Sequence, residues 1–337
     1  MTARNLTRGL HFLAAAALLV SVRPAPASAA QVLIADRLSN AVYRYSGNGV
    51  LLGTVVADNV NLNQPSGIAL SPDSTKLYVA SSGNSQVVQY DYSVATGTAT
   101  NPTVFGNAAE GLAFPSSILP SGDGSKVYVS NLGGTGVAQF NADGTLAGAP
   151  INGLVGGGAF FQFSGLAFAP TGELLVGGFQ NFPAADAGTV AKSNAAITAL
   201  GDFLTPSASL NGATGLLVDG DDLYVAAGFA GTVQRFDVNT GAVDPSFGLS
   251  GLAFPQTLLA NSNGSGFLVS VLGFSNGTGT ISKYGFDGTS AGIFASPGGG
   301  GFQEATALVA VVPEPATIGM LTCAAVALGF TVRRRRA

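Results

Sequence analysis

Any metal in the body of this chain has to be held by oxygen. Of the 337 residues, the one histidine is His11, the one cysteine is Cys323, and tryptophan is absent. Residues 31–312 therefore carry no imidazole and no thiol. A Ser-His-Asp triad, a cysteine nucleophile and a zinc site with His or Cys ligands are excluded there. Carboxylates, amides and hydroxyls remain. Asp36, Asn131 and Glu304 stand in loops that border the same end of an internal repeat. All three are hard oxygen donors of the kind Ca²⁺ prefers, but that ion takes 6–8 oxygens. The other reading of the trio is a hydrated polar rim without metal or cofactor, and the donor count favours it.

The elements that must position these residues repeat. "QPSGIALSPDSTKLYVASSGNSQVVQYDYSVATG" recurs as "FPSSILPSGDGSKVYVSNLGGTGVAQFNADG", "FSGLAFAPTGELLVGGF" with "AGTVAKSN", "ATGLLVDGDDLYVAAGFAGTVQRFDVNTG" and "FPQTLLANSNGSGFLVSVLGFSNGTGTISKYGFDG". Each unit holds an apolar run, a polar turn, a second apolar run, a Gly/Ser/Asn loop and an alternating third run. Ile68, Ile118, Leu166, Leu216 and Leu258 are equivalent, and a further step reaches Thr306 in "QEATALVAV". The mature N-terminal stretch "QVLIADRLSNAVYRYSGNG" supplies second and third strands and lacks a first. The two ends together complete one unit.

This predicts an all-β, six-bladed β-propeller with four-stranded blades, closed by pairing residues 303–311 beside the strand at 31–36. Asp, Gly and Ser in "SPDST", "SGDGS" and "DGDD" suit the turns. The column bordering the channel reads Ser66, Ser116, Ser164, Thr214, Gln256 and Glu304. Phe160, Phe161 and Phe163, and Phe179 with Phe182, read as inter-blade core rather than a carbohydrate platform. The Gly-rich runs "LVGGGAFFQF" and "GTSAGIFASPGGGGF" open no βα unit and read as loops, not phosphate cradles.

The body is acidic: seven Lys and Arg against 17 Asp and Glu between 31 and 312, a formal charge of −10. That excludes nucleic acid as a partner. The basic residues cluster instead at the ends. Arg4 and Arg8 precede "HFLAAAALLV", and "APASAA" follows with Ala27 and Ala29 at −3 and −1, the pattern of a signal peptide (1–30) cut between Ala29 and Ala30. At the other end, Ala316 to Val332 are uncharged and Arg333, Arg334, Arg335 and Arg336 follow, the order of a transmembrane helix with a stop-transfer cluster.

Pro313-Glu314-Pro315, the apolar run and the arginines resemble the PEP-CTERM sorting signal of Gram-negative bacteria. The resemblance implies export through the Sec machinery, a transient inner-membrane anchor, processing by an exosortase, and then the cell surface or secretion. It also implies an exopolysaccharide or biofilm setting, with exopolysaccharide or surface proteins as partners. Residues 31–312 resemble NHL, YVTN and gluconolactonase-like propellers, through "LIADRLSN" and "SPDSTKLYVA". Gluconolactonase-like enzymes use a similar oxygen-donor set at the channel mouth. The reading is therefore a non-enzymatic exported propeller with a binding or matrix role. The alternative is a metal-dependent lactonase or hydrolase using Asp36, Asn131 and Glu304.

Overall fold

The computed structural model describes residues 30–133, 136–152, 161–180, 187–261, 263–273 and 279–311. The expected signal segment, the Pro313–Pro315 triplet, the apolar run and the terminal arginines lie outside these residues, Ala30 excepted. Among the described residues, helix is limited to 3-10 turns, and no helix is long and apolar enough to cross a membrane.

The strands form six sheets. Blade 1 begins with β1 (Gln31–Asp36), β2 (Ala41–Ser46) and β3 (Leu51–Ala57). Blade 2 is β4 (Pro65–Leu70), β5 (Lys76–Ser81), β6 (Gln86–Ser93) and β7 (Thr98–Gly106). Blade 3 is β8 (Pro115–Pro120), β9 (Lys126–Asn131) and β10 (Ala138–Asn141). Blade 4 is β11 (Phe161–Phe168), β12 (Leu174–Gln180), β13 (Gly188–Ser193) and β14 (Leu200–Asp202). Blade 5 is β15 (Ala213–Asp219), β16 (Asp222–Ala227), β17 (Thr232–Asp237) and β18 (Val243–Leu249). Blade 6 is β19 (Pro255–Ala260), β20 (Gly266–Val271), β21 (Ile281–Gly285) and β22 (Ser290–Ala295). The last strand, β23 (Ala305–Val311), returns to blade 1, giving the order β23-β1-β2-β3. It runs antiparallel to β1, from Gln31 opposite Val311 to Asp36 opposite Ala305. The six-bladed, all-β architecture and its closure by both ends match the expectation.

The core is divided as the sheets are. Each of six apolar clusters lies between two adjacent blades. Leu33, Leu77 and Val79 sit between blades 1 and 2, for example, and Tyr224, Phe247 and Phe267 between blades 5 and 6. Both faces of the middle strands are therefore covered, which is why "KLYVAS" and "DLYVAA" are nearly continuous apolar runs. The polar turns are fixed locally. Ser71 and Ser121 donate to the carboxylates of Asp73 and Asp123 (2.5 and 2.6 Å), which also accept from the amides of Thr75 and Ser125. These bonds, led by that from Ser121, lower the Asp123 pKa to about 2.

Two expectations are corrected. Blade 3 is a three-stranded sheet rather than four-stranded. Beyond Asn141, its described chain makes only isolated bridges: Leu146 to Phe140, Ile151 to Val137, and Asn152 to Ala199 of blade 4. A tight turn bonded by Asp143 to Thr145, and Pro150 beyond it, leave no regular outer strand.

The second correction is of register. Ile68 pairs with Val79 and Leu308 with Ile34, so Leu308, not Thr306, answers to Ile68. Thr306, not Glu304, then answers to Ser66. A slip of two residues keeps every side chain on its own face of a strand, so the apolar pattern cannot detect it.

Candidate functional site

Each inner strand carries a register shift one turn of the pleat from its start, as at Pro65/Gly67, Ala213/Gly215 and opposite Ala35/Asp36. The residue in that bulge turns its side chain toward the next blade. In five blades it is Ser66, Ser116, Ser164, Thr214 and Thr306. Ser66 donates to the Pro65-equivalent carbonyl of blade 3, Pro115 (2.6 Å), and Ser116 to Phe163 (3.2 Å). Ser164 points at the Thr214 carbonyl (3.5 Å), Thr214 donates to Pro255 (2.8 Å), and Thr306 to Pro65 (2.8 Å). Blade 6 has Gln256 in this place, and the neighbouring Thr257 donates to Thr306 instead (2.8 Å). A belt of side chain to backbone bonds thus circles the axis. Glycine follows the bulge at Gly67, Gly165 and Gly215 because the next blade is close. A Cβ on Gly215 would stand 2.4 Å from the Gln256 carbonyl oxygen.

The belt encloses an axial cavity of about 700 Å³. Its mouth, where the inner strands begin, is formed by the segments before those strands and the loops after the second strands. These two sets are tied together. Arg37, Ser82, Leu132, Gly228 and Leu272 donate their amides to the carbonyls of Glu304, Gln64, Phe114, Gly212 and Phe254 respectively. Gln64, Phe114 and Phe254 hold positive φ values of 54°, 48° and 59°, each just before the proline that starts an inner strand. Non-glycine residues are uncommon in that region, and these are held there by the paired loops.

The mouth has two unlike sides. Blades 1 and 2 supply Arg37, Gln64 and Ser82; blades 3 to 6 supply Leu132, Phe179, Phe229, Phe254 and Leu272. Arg37 is the only charged residue of the described lining. The Phe229 ring meets Phe179 at 5.2 Å and Phe254 at 4.9 Å, both edge to face. Phe229 is 42% exposed and Phe114 56%. Phe163 is core, as the sequence suggests, whereas Phe179 both packs and lines the cavity.

The oxygen donors singled out in the sequence do different work. Asp36 is 0% exposed. Its carboxylate accepts from the amides of Gln303 (3.0 Å), Glu304 (2.8 Å) and Leu38 (3.3 Å) and from the Ser39 hydroxyl (2.5 Å). It ties the last strand's entry to the first hairpin. Asn131 does the same job in blade 3, accepting from the Ala113 amide (3.1 Å) and donating to the Gly136 carbonyl (3.2 Å). Glu304 is buried beside Asp36, and its Oε1 is 3.9 Å from the Arg37 guanidinium. Burial pushes the Glu304 carboxyl up; Arg37 opposes that and Asp36 adds to it. Asp36 and Glu304 are brought together, and Asn131 is not brought to them: its amide is spent within its own blade. Among the described residues no three of His, Cys, Asp and Glu cluster at ligating distance. The trio does not fit a Ca²⁺ cage: the Asp36 and Asn131 oxygens are turned to backbone amides, and the Glu304 carboxylate stands against the Arg37 guanidinium. Sequence reasoning missed Arg37 and Phe229. The signal for both was their place in the loops after "LIAD" and "YVAA".

Residues 26–150 match the family described as SMP-30/gluconolactonase/LRE-like region, a stretch that takes in β1 to β10. No curated protein matches the chain. Among solved structures, one from a nidogen/laminin complex is 13% identical, with a TM-score of 0.61 over 85% of this chain and 100% of that one. A calcium-binding regucalcin from Agrobacterium tumefaciens is 15% identical, with a TM-score of 0.52 over 74% and 79%. A candidate 6-phosphogluconolactonase from Bacteroides fragilis is 16% identical, with a TM-score of 0.53 over 80% and 82%. At such identities the likeness is one of fold. The chain is a six-bladed, all-β propeller, and the family match reaches its first three blades.

Proposed function

We propose that the axial channel binds a small cyclic ester, or the hydroxy acid it opens to, and that ring opening by water is its reaction. The observation that carries this reading is the pairing at the mouth. Arg37 is the single charge among the described residues of the lining, and the buried carboxylate of Glu304 stands behind it. A guanidinium there can hold a carbonyl or carboxylate oxygen through two N–H groups. Glu304 stands behind that guanidinium and not in the lining, so in the proposed step it takes the proton of the attacking water through one bridging water, and burial, which raises its proton affinity, suits it to that task. The ring C–O bond then breaks, and that proton passes to the departing alkoxide. The match of residues 26–150 to the gluconolactonase-like family supports this class of substrate. No metal enters the step.

The test is titrimetric, with glucono-δ-lactone and δ-valerolactone on the full chain. Hydrolysis of at least one of the two above background, with Arg37→Met raising KM and Glu304→Gln lowering kcat, is expected. Neither lactone being bound nor opened would overturn the reading.

A second reading is favoured by the sequence of the ends. It is an exported propeller, 31–312, delivered by a signal peptide at 1–30 and sorted by the Pro313-Glu314-Pro315 tail at 313–337. It would bind at the cell surface in an exopolysaccharide setting without turning over its ligand. In that case surface material from the native host should carry a C-terminus near residues 312–316 by mass spectrometry. Chains that keep Arg333 to Arg336 throughout the surface fraction would contradict sorting by cleavage.

A further inference from the structure

The channel wall opposite Arg37 has its own chemistry. With six blades in a ring, blade 4 faces blade 1 and blade 5 faces blade 2. Phe179 therefore stands across the axis from Arg37, and Phe229 across from Gln64 and Ser82. Phe179, Phe229, Phe254 and Leu272 present no hydrogen-bonding atom on their side chains. This is a choice of residue, since the chain has 8 tyrosines as well as 21 phenylalanines.

The rings are also seated deliberately. A Cβ on Gly228 would stand 2.9 Å from the Phe254 ring, and one on Gly212 would stand 2.6 Å from the Phe229 ring. Both glycines leave the space those rings fill. Phe254 is kept at a positive φ to put its ring there. Edge-to-face packing with Phe179 and Phe254 fixes Phe229 while leaving it partly exposed.

A polyhydroxylated body lying on this wall would leave hydroxyls desolvated and unpaired. We infer that the channel's ligand is an amphiphile, with a carbonyl or carboxylate head at Arg37 and a flat apolar body seated on Phe179, Phe229 and Phe254. This rests on the channel being the binding site and narrows what it takes. Charge complementarity sets the head, because Arg37 is the only charge in the described lining. Below the mouth the belt hydroxyls of Ser66, Thr214 and Thr306 are turned to backbone carbonyls, and Gln256 supplies an amide there.

Calorimetry on the full chain tests the inference with three probes: 3-phenylpropionate, 3-phenylpropanamide and D-gluconate. The acid should bind at least fivefold more tightly than the amide and than gluconate. Phe229→Ala should weaken the acid at least fivefold, with Phe229→Leu in between as a variant that keeps the seat filled. Arg37→Met should remove the difference between acid and amide. Gluconate binding more tightly than 3-phenylpropionate would overturn the amphiphile and leave the channel reading intact. Binding of the acid that ignores both Phe229→Ala and Arg37→Met would overturn it as well, by placing the probe elsewhere. Failure of all three probes to bind would overturn both.

Discussion

Removing the Asp36 carboxylate should unfasten the ring. This side chain is fully buried and accepts from four donors, two of them the amides of Gln303 and Glu304 that lead into β23. In Asp36→Ala those two amides lose their acceptor, and the Leu38 amide and Ser39 hydroxyl lose theirs. A buried donor left unsatisfied costs about 1–3 kcal/mol. The Glu304 amide is buried and the Gln303 amide half-buried, while the Leu38 bond is long at 3.3 Å. Counting the first two fully and the others lightly gives roughly 4 kcal/mol. At about 2–4 °C per kcal/mol for a domain of this size, the melting temperature should fall by roughly 8–16 °C. Asn131→Ala is the internal control. It removes one amide acceptor and one donated bond from a blade that is closed by chain continuity, and should cost about half as much or less. Thermal unfolding followed by circular dichroism at neutral pH reads both. If Asp36→Ala melted within 2 °C of the parent (about 1 kcal/mol or less), or no lower than Asn131→Ala, the argument that this carboxylate holds the closing strand would be wrong.

Other outcomes follow from the same contacts. Thr306→Val keeps shape but deletes the bonds to the Pro65 and Ala35 carbonyls, and should cost about 1–2 kcal/mol in urea unfolding; a cost below 0.5 kcal/mol, about the floor for one hydrogen bond, would deny the belt a structural role. Gly215→Ala drives a methyl into the Gln256 carbonyl and should destabilise by about 1–3 kcal/mol, whereas Gly201→Ala, with open space around it, should be near neutral. Folding raises the Glu304 pKa above its ordinary value of 4.5, so the stability it contributes is full below that value and is lost as pH rises through the folded value. Glu304→Gln should therefore melt higher than the parent at pH 7, and the gain should vanish below about pH 4; a gain that persists in acid would point to another cause. Deleting residues 303–311 should abolish the single cooperative transition, and an unchanged melting profile would refute closure by both ends.

Fold legibility came from repetition. "KLYVA", "KVYVS" and "DLYVA" mark the buried second strands, and the missing first strand at the start is complemented by the orphan strand at the end. The register error at β23 shows the limit of that method. Apolar alternation has a period of two, so placing Glu304 or Thr306 opposite Ser66 satisfies it equally. The hydroxyl at the bulge was the better guide: Ser66, Ser116, Ser164, Thr214 and Thr306 share a bond to the next blade that hydropathy does not encode. The site was less legible than the fold. Asp36, Asn131 and Glu304 are conspicuous as rare polar residues near the channel, yet two of them serve backbone amides. Residue type suggests chemistry, but which lone pairs are already taken is decided by loops from different blades. The two-sided mouth is invisible for a similar reason: Arg37 and Phe179 are 142 positions apart and face each other only once the ring closes.

The most direct test of the account is the position of a ligand. A crystal structure of the full chain with 3-phenylpropionate should show the acid in the axial channel, its carboxylate at the Arg37 guanidinium and its ring against Phe229. The probe outside the channel, or inside it with the carboxylate turned away from Arg37, would contradict the reading of this mouth as the binding site.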